Sequence, residues 1–252
     1  MPSEANVRRV CLLTGSAGKL GRAFITKFSN HYDFVAVYNS AIPEIESQLA
    51  RFVDPLGVDP PTIPAKAAYL IQADLRDRSS TKRIIELIDA RYGGVDLVVN
   101  AAADVRFHGS LEDIEELYYR FLEQITLNAI MPIYLAAGVA RHFWRTDVEE
   151  NQRRNRNIVN ISSTSGSQIF ARSGQAAYSA SKAALNFLTC HLAADLKMYR
   201  IRVNALAPTA FPAKISAEVV ADAVRRLDQG QRNGKIVMLD ENFEREISDY
   251  SA

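Results

Sequence analysis

Tyr178 and Lys182 stand four positions apart in the run Tyr178-Ser179-Ala180-Ser181-Lys182. On a helix that spacing puts a phenol and an ammonium on one face, one turn apart. A free tyrosine phenol titrates near about 10, too high to trade protons readily at neutral pH. A neighbouring positive charge favours the phenolate and lowers that value. The pair therefore predicts a hydroxyl that gives a proton to, or takes one from, a substrate oxygen. Upstream, Asn160-Ile161-Ser162-Ser163 reads as a strand end that carries hydroxyls. A hydroxyl fixed there would donate to a substrate carbonyl and stabilise its developing negative charge. Near the start, Thr14-Gly15-Ser16-Ala17-Gly18-Lys19-Leu20-Gly21 is a glycine-rich turn between an apolar run and a helical pattern. Such a turn lets the backbone bend tightly and approach a pyrophosphate.

Positioning these groups takes a sheet. Short apolar runs, mostly β-branched, recur at Arg9–Leu13, Phe34–Tyr38, Ala68–Gln72, Leu97–Asn100, Asn157–Ile161, Ile201–Leu206 and Lys235–Leu239. Near-continuous apolar runs of this length suit parallel strands covered on both faces. Helical patterns fill the intervals: Leu20–Ser29, Ile42–Phe52, Ser79–Arg91, Leu111–Trp144, Ala176–Tyr199 and Ala217–Asp228. The alternation predicts an α/β, Rossmann-like, doubly wound parallel sheet of about seven strands with helices on both faces. It runs through the chain as one domain, residues 1–252, without an internal repeat. Asp54–Pro64 holds Pro55, Pro60, Pro61 and Pro64 and reads as a surface loop. Asp147–Asn157 reads as a polar surface insert.

The chain has 252 residues and a hydrophobic content of 48%, enough for one α/β domain with a substantial core. A net charge of +1 argues against nucleic acid or a membrane surface as main partner. Arg153, Arg154 and Arg156 read as a solvated loop. Cys11 and Cys190 give no disulfide framework, and Cys11 falls in the first apolar strand as a small core residue. His31, His108, His142 and His191 show no metal-ligand spacing. No secretory signal or long apolar span is visible, which gives a cytoplasmic protein as the expectation.

The glycine-rich turn, the Ser162-Ser163 strand end and the Tyr178/Lys182 pair, in this order, resemble the short-chain dehydrogenase/reductase family over almost the whole chain. The resemblance implies a catalytic set of Asn128, Ser163, Tyr178 and Lys182, with Ser165 as the alternative serine because the gap to Tyr178 is longer than usual. Pro132 has no N–H, so the Asn128 carbonyl loses its ordinary helical donor. The resemblance implies that a water held there links Lys182 to solvent. The family's glycine positions fall on Gly15, Lys19 and Gly21, and a basic residue at the middle one is similar to the pteridine-reductase branch, as is the Asn-Ala-Ile-x-Pro run at Asn128.

The same resemblance implies a dinucleotide held by Gly15, Ser16, Lys19, Leu20, Gly21, Asn39, Ser40, Asp74, Leu75, Asn100, Ala101, Tyr178, Lys182, Pro208 and Phe211. The second strand ends in Val37-Tyr38-Asn39-Ser40, with no carboxylate to hydrogen-bond ribose hydroxyls or repel a 2′-phosphate. NADP(H) is therefore expected over NAD(H). The implied activity is hydride transfer to a ketone or related C=O or C=N group. A small-molecule carbonyl or imine substrate, a homodimer or homotetramer, and neither nucleic acid nor membrane are the expected partners. A glycine is replaced by Thr209, a helix starts by Ser216, and a charged tail, Glu241–Ala252, follows the last strand. Thr209, the short segment before Ser216 and the run Asn100-Ala101-Ala102-Ala103, where the family usually has Asn-Asn-Ala-Gly, leave a second reading open, an NADP(H)-binding sensor or scaffold without turnover. His108, beside Arg106 and Phe107, is a candidate substrate contact.

Overall fold

Eight strands run parallel in one sheet: β1 (Arg9–Thr14), β2 (Tyr32–Tyr38), β3 (Ala50–Phe52), β4 (Ala68–Gln72), β5 (Leu97–Asn100), β6 (Asn157–Ile161), β7 (Arg202–Pro208) and β8 (Ile236–Leu239). A ninth, β9 (Glu244–Ile247), pairs antiparallel with β8. The spatial order is β3-β4-β2-β1-β5-β6-β7-β8-β9. The computed structural model describes residues 8–52, 68–106, 114–171, 173–211, 213–241 and 244–247. The expected loop Asp54–Pro64, His108, the start of the expected helix at Leu111 and the end of the charged tail lie outside the described residues.

The order reverses between β1 and β5, which opens a crevice at the carboxyl ends of those strands. Register aligns Thr14 with Asn100 and Asn100 with Asn160, so β1, β5 and β6 present polar residues there at one level. Leu12, Leu13, Val98, Val99, Ile158 and Val159 are buried in mid-sheet, as strands covered on both faces require. One face packs under α1 (Lys19–Phe28) and α7 (Ala217–Gln229), with Phe24, Phe34, Val224 and Leu227 in its core. The other packs under α2 (Arg78–Tyr92), α4 (Met131–Val139) and α6 (Ala176–Leu196), around Ile84, Leu135, Trp144 and Leu192.

The long expected helix is four consecutive pieces of one rod. It comprises α3 (Ile114–Ile125), a wide π turn at Thr126–Ile130, α4, and a second π turn at Ala140–Trp144. By length and composition the run Leu117–Trp144 could cross a membrane. That corrects the expectation of no long apolar span. Its inner face is instead core: Asn128, Leu135, Ala136, Val139 and Trp144 are buried, and Trp144 Nε1 donates to the Val95 carbonyl at 2.8 Å.

Two other expectations fail. The helix expected at Ile42–Phe52 is irregular chain, a turn and then β3. There, pairing with the open edge of β4 wins over helical patterning, and the Ala68 N–H donates to the Leu49 carbonyl at 2.8 Å. Among the described residues the short, charged β3 and β9 extend the expected parallel sheet of about seven strands to nine. In β9 that charge is paired: Glu244 bonds Arg226 and Arg232, and Glu246 bonds Arg232. The Asp147–Asn157 insert holds α5 (Val148–Arg153) and is only partly solvated. Arg153 is exposed beside Glu150, whereas Arg154 and Arg156 turn inward onto Asp96.

That inward turn belongs to a charged lattice under the amino ends of the strands, opposite the crevice. Asp228 Oδ1 accepts from Arg9 and Asn157, both at 2.7 Å. Its Oδ2 accepts from the Tyr32 hydroxyl at 2.6 Å and from Arg225 at 3.2 Å.

Candidate active site

At the first crossover the chain has no room for side chains. Gly15 has φ +67°, and a Cβ there would lie 2.6 Å from the Ala102 nitrogen and 2.7 Å from the Ala101 carbonyl. A Cβ at Gly21 would lie 2.6 Å from the Gly15 oxygen and the Ser16 Cα. The turn is thus clamped between α1 and the segment after β5. The Thr14 hydroxyl completes the clamp by accepting from the Ala101 and Ala102 N–H groups at 3.1 and 3.2 Å. A hydroxyl at the last position of β1 is the sequence signal for this clamp.

The cap of α1 is Gly18, which has no side chain to satisfy the first turn. The N–H groups of Lys19, Leu20 and Gly21 therefore point out of the helix without helical acceptors, a cradle suited to a phosphate. Leu20's side chain is in the core. Ser16 is fully buried and its hydroxyl donates to the Val37 carbonyl at 3.0 Å, so it fastens the turn to β2. Lys19, Asn39 and Ser40 are exposed where α1 begins and just after β2 ends, β2 being the neighbour of β1 in the sheet.

Farther along the crevice, the Asp74 carboxylate is held by the Arg76 guanidinium at 2.8–3.3 Å, which pulls its pKa below the usual carboxylate range. Leu75 is a core residue. Asn100 is buried; its Nδ2 donates to Asn160 Oδ1 at 2.8 Å and to the Pro132 carbonyl at 3.1 Å, while its Oδ1 finds no partner among the described residues. Ala101 is half-buried beside Gly15. Pro208 closes β7 in a buried position, and Phe211 packs against the core under α1 and α7.

The four residues of the expected catalytic set come together on α6 and its neighbours. Tyr178 is half-buried and shares a hydrogen bond with the Ser163 side chain. Ser163 caps a short turn, Thr164–Gly166, and its Oγ accepts from the Ser165 N–H at 3.1 Å. The Ser165 hydroxyl turns elsewhere, donating to Gln175 Oε1 at 2.8 Å. Of the two serines, Ser163 is the one that meets the phenol.

Lys182 lies on the same helix face, its Nζ 5.8 Å from the Tyr178 ring centre. It is 2% exposed, and its ammonium donates to the Ile161 carbonyl at 2.8 Å. Burial pushes the Lys182 pKa down to about 7. The Tyr178 phenol is pushed up by burial, against a smaller downward pull from Ser163. The expected cationic depression of the phenol is therefore not what this arrangement produces. The ammonium is bonded to a strand carbonyl, and loss of solvent dominates at the phenol.

Asn128 sits in the first π turn, where Pro132 offers no N–H and the Met131 N–H reaches back to Thr126. Its side chain is a clip. Oδ1 accepts from the Asp104 N–H at 2.8 Å, and Nδ2 donates to the Asp104 carbonyl at 2.9 Å and the Ser181 hydroxyl at 3.0 Å. Ser181 donates in turn to the Tyr178 carbonyl at 2.7 Å. Ser181 was legible only as a neighbour of Lys182. Among the described residues no cluster of His, Cys, Asp or Glu is arranged for a metal ion.

Residues 9–224 match the family model described as short chain dehydrogenase. The chain belongs to the short-chain dehydrogenase/reductase family. Such a reductase, the 3-oxoacyl-[acyl-carrier-protein] reductase of Thermotoga maritima, is 28% identical over 88% of this chain and 84% of that protein. The cyclohexanol dehydrogenase of a Rhodococcus species is 26% identical over 79% of this chain and 73% of that protein. A short chain dehydrogenase structure from Mycobacterium avium superposes with a TM-score of 0.75 at 23% identity, covering 97% of this chain and 86% of that one. An oxidoreductase from Brucella ovis, in complex with a partially ordered NAD, gives a TM-score of 0.65 at 23% identity, covering 92% and 100%. Family members bind a nicotinamide cofactor, and the crowded Gly15/Gly21 turn with the uncapped start of α1 fits the phosphates of such a group.

Proposed function

We propose that this protein is an NADPH-dependent reductase of a ketone or related C=O or C=N compound, with Tyr178 as the proton donor. The observation that carries the reading is the Tyr178–Ser163 hydrogen bond, with Lys182 on the same helix face at the carboxyl edge of the sheet. NADPH, when bound, supplies the hydride. The N–H groups of Lys19, Leu20 and Gly21 would hold its phosphates. Lys19, Asn39 and Ser40 would hold the 2′-phosphate, a reading supported by their exposure and by the lack of a carboxylate in Val37–Ser40.

Ser163 would orient the substrate oxygen, and Tyr178 would deliver a proton to it. The raised phenol keeps that proton bound at neutral pH. Lys182, near neutrality in its titration, would return a proton toward the phenol and hold the cofactor ribose. The self-association expected of the family, as dimer or tetramer, is supported by the exposed Tyr118, Tyr119, Leu122 and Phe187 on α3 and α6. A cytoplasmic location is consistent with two free thiols.

NADPH oxidation against a panel of carbonyl compounds tests the reading: turnover is expected in the wild type and its loss in Tyr178→Phe. The second reading, a non-catalytic NADP(H)-binding sensor or scaffold, is motivated by Thr209 in place of a glycine, the altered run Asn100-Ala101-Ala102-Ala103 and the short segment before Ser216. Tight NADPH binding without oxidation across the whole panel would select it.

A further inference from the structure

The segment that follows β5 joins the phosphate turn to the helix of the proton donor. At one end the Ala101 and Ala102 N–H groups donate to Thr14, beside Gly15. At the other, the Asp104 carbonyl shares Asn128 Nδ2 with the Ser181 hydroxyl, which in turn donates to the Tyr178 carbonyl. The two residues from Ala102 to Asp104 reach at most about 7 Å. A nicotinamide riboside belongs along that stretch, because its phosphates rest on one end and its hydride must leave beside the other. Ala102 and Ala103 have small side chains and leave room for it.

Beyond Asp104 the chain is locked by side chains. The Arg106 N–H donates to Asp104 Oδ1 at 3.0 Å, which closes a tight turn, and the same carboxylate holds the Arg106 guanidinium. The Asp104 N–H and carbonyl both bond Asn128. The Arg106 carbonyl accepts from Gln124 Nε2 at 2.6 Å. Packing does not hold this turn, since Val105 and the Arg106 side chain are exposed. Two enclosed amides hold it instead, Gln124 at the end of α3 and Asn128 in the π turn that follows.

Gln124 is the member that helix packing does not explain. It is 0% exposed, and its Oε1 finds no hydrogen-bond partner among the described residues. Burying an amide with its acceptor left open is unfavourable, and a methionine would fill similar space without that burden. What the amide adds is the donor to Arg106, and with it a fixed course for the chain next to Tyr178.

We propose that Gln124 is a positioning residue: through the Arg106 carbonyl, and together with the Asp104 carboxylate, it fixes residues 102–106 as a rigid rail for the nicotinamide half of the cofactor. The proposal rests on the cofactor part of the reductase reading and not on turnover. A loose rail has to be ordered when the cofactor binds, and that cost falls on the nicotinamide half. The adenosine half belongs to the starts and ends of other elements, α1 and β2.

The test is binding of two ligands to the full chain: NADPH, followed by its nicotinamide fluorescence, and adenosine 2′,5′-bisphosphate, which lacks the nicotinamide half, followed by calorimetry. Wild type, Gln124→Met, Asp104→Ala and the double variant are compared. NADPH affinity is expected to fall about fivefold or more in each single variant. Affinity for the bisphosphate should stay within about twofold, which also reports that the variants fold. The double variant should lose no more than about the larger single effect, because both side chains act on one turn. Parallel losses of both ligands overturn the proposal, since Gln124 then only supports the fold. NADPH affinity unchanged in Gln124→Met overturns it, as does a wild type that binds NADPH no more tightly than the bisphosphate. The reductase reading fails separately, by NADPH that binds as expected but is not oxidised across the carbonyl panel.

Discussion

Lys182 Nζ donates to the Ile161 carbonyl at 2.8 Å, and that bond keeps a fully enclosed ammonium on the Tyr178 side of α6. The arrangement sets a conflict between stability and chemistry. Burial lowers the Lys182 pKa from 10.5 to about 7. The unfolded chain therefore binds the extra proton throughout that window, and folding stability from this group rises as pH climbs from 7 toward 10.5. The penalty below the window is at most about 5 kcal/mol. Lys182→Met removes it but leaves the Ile161 carbonyl without its donor, at a cost of about 1–3 kcal/mol. We expect Lys182→Met to be about 1–3 kcal/mol more stable in urea at pH 7, with a flatter pH dependence, and to be inactive. A variant less stable than wild type at pH 7 contradicts this account of the buried ammonium.

The two serines separate cleanly by partner. Ser163 bonds the phenol, whereas Ser165 bonds Gln175. Ser163→Ala is expected to lower kcat by about 100-fold or more, as loss of an oxyanion donor does. Ser165→Ala should change kcat by less than about tenfold. Steady-state kinetics on any substrate found in the carbonyl panel decides it, and equal losses in the two variants would refute the assignment.

Much of this was legible before the fold was known. Ala68–Gln72, Leu97–Asn100 and Asn157–Ile161 fall on strands with the expected ends, because buried parallel strands write themselves as apolar runs. The shared face of Tyr178 and Lys182 follows from helical spacing alone. What escaped depends on partners distant in sequence. β3 forms because β4 offers an open edge, and Arg154 turns inward because Asp96 waits beneath β1. The direction of the Tyr178 shift also escaped. Spacing shows that a cation is near, but not that it is bonded to Ile161 and that burial dominates.

Cofactor choice rests on the end of β2. Asn39→Asp places a carboxylate where a 2′-phosphate would sit and where a ribose diol could instead be bound. Fluorescence titration should show NADPH binding weakened by about tenfold or more and NADH binding unchanged or tighter. Equal effects on both cofactors would show that Asn39 does not face the 2′ position.

The lattice around Asp228 should matter for folding and not for chemistry. Asp228 is 1% exposed and lies at the opposite end of the sheet from Tyr178. Asp228→Ala removes the buried carboxylate that Arg9, Arg225, Asn157 and the Tyr32 hydroxyl share, and is expected to cost about 3–5 kcal/mol. Chemical denaturation should show that loss, with kcat retained in the fraction that stays folded.

Tyr178 carries the central claim, and its replacement by phenylalanine removes one oxygen while keeping the ring that packs on α6. The decisive measurement is single-turnover oxidation of bound NADPH by an accepted carbonyl substrate in wild type and Tyr178→Phe. The account predicts a rate lower by at least about 100-fold in the variant, with NADPH affinity unchanged. A rate within a few-fold of wild type would mean that the proton comes from another group, and the proposed mechanism would be wrong.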